Sequence, residues 1–99
     1  MSASVDAAQD ALPEVLDLDA YPNPVVSSAT LRFTLPEAGD IDLRVYDLLG
    51  RVVTEVASGT HEAGAHTAQF DASALPSGVY LVRLQTPQGN VTQRLTRVR

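Results

Sequence analysis

The sequence predicts an all-β fold of about seven antiparallel strands stacked as two sheets, and two observations carry that prediction. Apolar residues recur at every second position through most of the chain, clearest where Ile41, Leu43 and Val45 alternate with Asp40, Asp42 and Arg44. This is the pattern of strands with one buried and one wet face. Clusters of Gly, Pro, Asn and Asp separate the runs at the spacing expected of an antiparallel sandwich. Ninety-nine residues leave room for one domain, which at this size buries roughly two-thirds of its unfolded surface, enough for one modest core.

Residues 1–13 are small, acidic and aperiodic and read as a flexible acidic leader, with at most a helical turn over Asp6 to Leu12 and little for it to pack against. Order is expected from Glu14, so the folded unit spans 14–99. Val15, Leu16 and Leu18 begin the first strand. Tyr21-Pro22-Asn23-Pro24 then bends the chain stiffly, because two prolines fix φ and Asn23, preceding one of them, is held extended. Leu31, Phe33 and Leu35 mark the second strand, and Pro36 with Gly39 bounds the reversal into the third, which carries Ile41, Leu43 and Val45. Asp47-Leu48-Leu49-Gly50 predicts a type I turn with a Gly bulge, Asp47 bonding the following backbone and Gly50 supplying positive φ before Arg51.

Further strands are expected over Val52 to Ala57, His66 to Phe70, Val79 to Gln85 and Val91 to Val98, with Pro87 and Gly89 turning between the last two. Between Phe70 and Val79, Asp71 to Leu75 reads as one helical turn started by an Asp or Ser cap, with Leu75 facing inward. Leu75-Pro76-Ser77-Gly78-Val79-Tyr80 resembles the corner of immunoglobulin-like sandwiches, in which a Tyr hydroxyl bonds upstream backbone. The position two beyond that Tyr, a Cys in antibody domains, is Val82 here. The fold class is therefore an all-β, seven-stranded antiparallel immunoglobulin-like β-sandwich without a disulfide.

Composition narrows the function. With no Cys, neither a disulfide, a thiolate metal site nor a Cys nucleophile is available. A net charge of −5 disfavours nucleic acid, whose binding requires concentrated cations. All seven cations are Arg, and they are unevenly placed: Asp6, Asp10, Glu14, Asp17 and Asp19 precede any of them, while Arg83, Arg94, Arg97 and Arg99 close the chain without an intervening acid. No run approaches the ~18 apolar residues of a membrane span, and the leader lacks the basic and apolar regions of a signal peptide. If the module is an exported one, its signal peptide is expected on a longer precursor.

Catalytic constellations are not evident. His61 and His66, the two imidazoles, fall in or beside a Gly-rich turn and read as solvent-facing loop residues, with no HExxH arrangement for zinc. Asp40 and Asp42 share a wet strand face without the loop that wraps calcium. No GxSxG elbow or Gly-rich phosphate cradle occurs, so no enzyme activity, cofactor or metal is expected. The aromatics are Tyr21, Phe33, Tyr46, Phe70 and Tyr80, with Phe33 and Phe70 expected in the core, which leaves little for a sugar-stacking platform.

Read as a series, YPNP at Tyr21 to Pro24, YDLLGR at Tyr46 to Arg51, LPSGVYLVRL at Leu75 to Leu84 and the terminal QRLTRVR resemble the C-terminal sorting domain of proteins exported by the type IX secretion system. The resemblance runs from about Val15 to Arg99. It implies a signal that follows an N-terminal cargo through the periplasm, engages the outer-membrane type IX translocon and is cleaved by a sortase-like protease, leaving the cargo on the cell surface or secreted. Residues 93–99 depart from the family's ending, where a Lys pair precedes an unbroken apolar run; here Thr96 and Arg97 interrupt it. Related readings are a hook-capping-like assembly module, which tends to carry a longer insertion where this chain has the compact DASALPSGVY, and a carbohydrate-binding accessory domain.

For the sorting reading, strand addition to an exposed edge of the last strand is the expected mode. Arg94, Leu95, Arg97, Val98 and Arg99 are the candidate recognition residues, with Leu48 and Leu49 at a hairpin tip as a second contact. Tyr21, Pro22, Asn23, Pro24, Asp47, Gly50, Arg51, Leu75, Gly78 and Tyr80 are expected to shape turns. Removal of the final residues is expected to leave the remaining sandwich largely folded.

Overall fold

A computed structural model describes residues 15–99, and the acidic leader read over residues 1–13 lies outside them. The described chain forms seven strands: β1 Asp17–Tyr21, β2 Ser28–Leu35, β3 Gly39–Tyr46, β4 Val52–His61, β5 Gly64–Asp71, β6 Gly78–Thr86 and β7 Gly89–Arg97. They build a three-stranded sheet in the order β1-β2-β5 and a four-stranded sheet in the order β4-β3-β6-β7, all pairings antiparallel. The core lies between them. Leu18, Leu31, Phe33, Leu35 and Phe70 enter it from the smaller sheet, and Ile41, Leu43, Val45, Val82, Leu84 and Leu95 from the larger. Alternation in the sequence thus becomes alternation across the pleat.

β4 departs from the expectation. It runs to His61, four residues beyond the expected end at Ala57, and two register shifts against β3 leave Val53 and Val56 without partners. Both side chains pack against the core, as an extra residue on a bulged strand allows. Because β4 and β5 continue past the Gly-rich stretch, His61 and His66 lie in strands rather than in a loop. Their rings pack on Phe33, with centroids 5.9 and 5.3 Å away, and His66 Nε2 donates to the Glu62 carbonyl oxygen at 2.6 Å.

The hairpin tip follows the sequence. Asp47 Oδ1 accepts from the backbone N–H groups of Leu49 (2.9 Å) and Arg51 (3.0 Å), and Arg51 Nε donates to Oδ2 at 2.9 Å. Gly50 closes the turn on the Asp47 carbonyl at 3.0 Å with φ of 87°, a conformation that penalises any side chain. Both Tyr21–Pro22 and Asn23–Pro24 peptide bonds are cis. At the corner before β6, the Tyr80 hydroxyl donates to the Pro76 carbonyl oxygen at 2.6 Å. The expected helical turn over Asp71 to Leu75 is instead a β-turn. Asp71 Oδ1 does cap it, accepting from Ser73 N–H at 2.9 Å, but one Leu75 N–H to Ala72 O bond of 3.0 Å closes it and no helix follows. Pro76 lies directly beyond and has no N–H to continue the series.

Candidate functional site

β7 forms one edge of the larger sheet, paired with β6 on its other side. The β6–β7 turn makes Thr86 and Gly89 opposite residues. Antiparallel geometry then directs the backbone groups of residues 89, 91, 93, 95 and 97 toward β6 and those of 90, 92, 94 and 96 toward the open side.

The C-terminal half of this open side is closed by the chain itself. Asn23 Nδ2 donates to the Arg94 carbonyl oxygen at 2.8 Å, while Asn23 Oδ1 accepts from the Thr96 N–H at 3.0 Å. One step on, Val25 N–H donates to Thr96 O at 2.8 Å and Val98 N–H to Val25 O at 2.9 Å, a short parallel bridge. The Asn23 side chain and the Val25 backbone therefore act as a makeshift outer strand. Tyr21 to Pro24 does more than bend the chain: it delivers Asn23 to this edge. The signal in the sequence was an Asn fixed between two prolines, but its partners lie more than seventy residues away.

The candidate residues divide accordingly. Leu95 is fully buried, so the folded domain withholds it from any partner. Arg97 reaches across to the turn before β6: Nε donates to Ala72 O at 2.6 Å, Nη2 to Ser73 O at 3.2 Å, and Nη1 to Val98 O. Val98 is half-buried, and Arg94 and Arg99 are exposed. The expectation of a freely exposed edge down to the terminus is thus corrected from the Arg94 carbonyl to the Val98 N–H. Against the expectation that the final residues are dispensable for folding stand the place of Leu95 in the core and the bonds by which Arg97 and Val98 tie three segments together. Of the two departures, Arg97 has structural work on the turn through its guanidinium, whereas Thr96 joins the bridge through its main chain alone, and nothing in the structure explains its side chain.

Two main-chain groups of Thr92 and the N–H of Arg94 face outward without a backbone partner among the described residues. Beside them, the outward side chains of the larger sheet form cross-strand rows. Tyr46, Leu81 and Arg94 make one, and Arg44, Arg83 and Thr92 the next. Asn90, with its amide oriented to satisfy both neighbours, accepts from Arg83 Nη2 at 3.1 Å and donates to Gly89 O. Tyr46, Gly50, Leu81, Arg83, Asn90 and Thr92 line a shallow depression on this face. Arg44 lies near Asp42 (3.6 Å) and Glu55 (3.9 Å), and Arg51 pairs with Asp47; no described carboxylate pairs with Arg83 or Arg94. Sequence reasoning named Arg94 as a recognition residue, counted Arg83 only among the cations that close the chain, and passed over Thr92 and Asn90; strand register is what sets the four side by side.

At the hairpin tip Leu48 and Leu49 are 65% and 78% exposed, and Val52 is exposed beside them. The carboxyl of Asp47 lies below its ordinary range, chiefly because the Arg51 N–H donates to it, with the Arg51 guanidinium and the Leu49 N–H adding to the effect against some desolvation. Asp71 is lowered too, by the hydroxyl and then the N–H of Ser73. Both carboxylates serve turns. Among the described residues no three His, Asp or Glu side chains converge as metal ligands would.

Over residues 19–97 the chain matches the family described as the secretion system C-terminal sorting domain. The chain belongs to the type IX secretion sorting domains. The match takes in all of β2 to β7 and most of β1. No curated protein matches the chain. Among solved structures, the sorting domain is similar to dimeric latent PorU from Porphyromonas gingivalis, with a TM-score of 0.61 and 24% identity. The alignment covers 87% of this chain and 9% of that one. That likeness shows the shared sandwich, and the sorting domain spans only a small part of the longer protein. As a member of the family, this domain is a type IX sorting signal, and its cargo is destined for export to the cell surface or for secretion.

Proposed function

We propose that the export machinery reads this sorting domain through β7, by pairing a strand with the open half of its edge. The observation that supports this is the division of that edge. From the Arg94 carbonyl to the Val98 N–H the edge is closed by Asn23 and Val25, whereas Thr92 and the N–H of Arg94, although β1 runs close by, make no backbone bond outward and present main-chain groups that a partner strand can take up. Arg94, Arg99 and the outward face around them give selectivity, while Leu95, Arg97 and Val98 act through the fold that presents the edge. Leu48 and Leu49 form a second contact at the tip of the β3–β4 hairpin.

In this reading the domain does no chemistry. It follows an N-terminal cargo through the periplasm to the outer-membrane translocon and is removed there by the sortase-like protease. Fusing the whole chain behind a signal peptide and a reporter, in a type IX-competent cell, tests it. Reporter is expected outside the outer membrane, with the substitution Thr92→Pro stranding it in the periplasm. Proline on an edge strand removes only an outward N–H, so the variant should keep its fold, as its melting temperature reports. Normal export of a folded Thr92→Pro domain would defeat the proposal.

A further inference from the structure

We infer that the strand taken up by β7 is an acidic one, an extended segment with Asp or Glu at alternate positions. The inference rests on the strand-addition reading and adds the chemistry of the partner. Its basis is the charge left over on the larger sheet. The chain as a whole is acidic, with net charge −5, yet Arg83 and Arg94 stand on the strip next to the open edge with no described carboxylate paired to them. The acids nearest in the sheet, Asp42 and Glu55, sit against Arg44.

Register fixes where a partner's side chains would fall. Leu81 opposes Arg94 and Arg83 opposes Thr92, so the two arginines are diagonal neighbours, about 7 Å apart at the backbone. A strand added outside β7 places every second side chain on this same outer face, one opposite Arg94 and the next opposite Thr92. The first meets the Arg94 guanidinium directly. The second lies one strand beyond Thr92 from Arg83, about 10 Å between strand axes, a span that the long Arg83 side chain and a Glu can close together. A cation at either position would meet Arg83 and Arg94 with no acid to offset it, so the face selects against basic strands as well as for acidic ones. The shallow floor of Tyr46 and Leu81 and the polar pair Asn90 and Thr92 accept stems of Glu length.

The test uses the isotope-labelled full chain and two ten-residue peptides, one alternating Thr with Glu and the other Thr with Lys, titrated at low salt. The Glu peptide should shift the amide resonances of Thr92 and Arg94 and bind about tenfold more tightly than the Lys peptide, the sum of two exposed ion pairs. The R83E/R94E double variant should reverse that order. Equal binding of both peptides, or a Glu peptide that leaves the Thr92 and Arg94 amides unmoved, would overturn the acidic partner. In the export assay, a folded R83E/R94E domain that is exported normally while Thr92→Pro is stranded overturns the acidic partner and keeps strand addition. Normal export of both variants removes the two together.

Discussion

Asn23→Ala isolates the clamp on β7. The substitution removes two hydrogen bonds, 2.8 Å to the Arg94 carbonyl and 3.0 Å from the Thr96 N–H. Each would contribute about 1 kcal/mol net if it were typical. Both lie at an exposed edge, where water replaces the lost partner, so the expected cost is about 1 kcal/mol for the pair rather than twice that. For a domain of this size that corresponds to a fall in melting temperature of about 4–8 °C. Thermal unfolding by circular dichroism measures it, and hydrogen exchange locates it: the Thr96 amide should lose protection while that of Leu95, bonded to β6 on the other side, keeps its own. Asn23→Asp sharpens the test. It retains an acceptor for Thr96 but sets a carboxylate oxygen against the Arg94 carbonyl, and should be no more stable than the Ala variant. A melting temperature within about 1 °C of the parent, with Thr96 protection unchanged, would refute the clamp.

Three further expectations follow from single contacts. Tyr80→Phe removes the bond to Pro76 O and should cost about 1 kcal/mol in denaturant unfolding; an unchanged midpoint would show that the corner does not depend on the hydroxyl. Leu95→Ala empties a fully buried site and should cost about 2–5 kcal/mol, and a stability loss no larger than that of a surface substitution would contradict its place in the core. Asp47 is more acidic folded than unfolded because Arg51 and Leu49 donate to its carboxylate, so its contribution is complete above the ordinary carboxylate range and is lost as pH falls through its lowered pKa. Asp47→Asn should therefore weaken the domain near neutral pH and flatten the acid limb of its stability profile. A loss of equal size at neutral and strongly acid pH would count against that linkage.

Much of the architecture was legible because most strands bury one face, and burial imposes the period of two that Ile41, Leu43 and Val45 display. Where backbone irregularity breaks that period, the reading fell short. Val53 and Val56 are extra residues on β4, and Gly59 continues the strand with φ of 95°, so the alternation fades before His61 although the ladder does not. Local turn chemistry was readable at Asp47 and Tyr80, whose partners lie four residues away in sequence. The edge clamp was not, because nothing near Asn23 indicates that Arg94 and Thr96 will come beside it. Arg83 was read as one of the cations closing the chain but not as a partner of this edge, for the same reason: register across β6 and β7, not spacing along the chain, makes it a neighbour of Thr92 and Arg94.

The same register separates two roles that the terminal QRLTRVR combines in seven letters. Its inward residues belong to the fold, since Leu95 fills the core and Arg97 holds the turn at Ala72 and Ser73. Its outward residue Arg94 carries a carbonyl held by Asn23 and an N–H without a described backbone partner. Truncating the chain after Gln93 removes both kinds together, and the loss of Leu95 alone should cost about 2–5 kcal/mol, a large share of the stability of a small domain. Such a truncation should lose the cooperative unfolding transition as well as export. Failure to sort would then report an unfolded signal, not an unread one. A truncated chain that kept its β circular dichroism and melted cooperatively, yet was not exported, would instead place recognition in the terminal residues themselves and remove the division between them and the open half of β7.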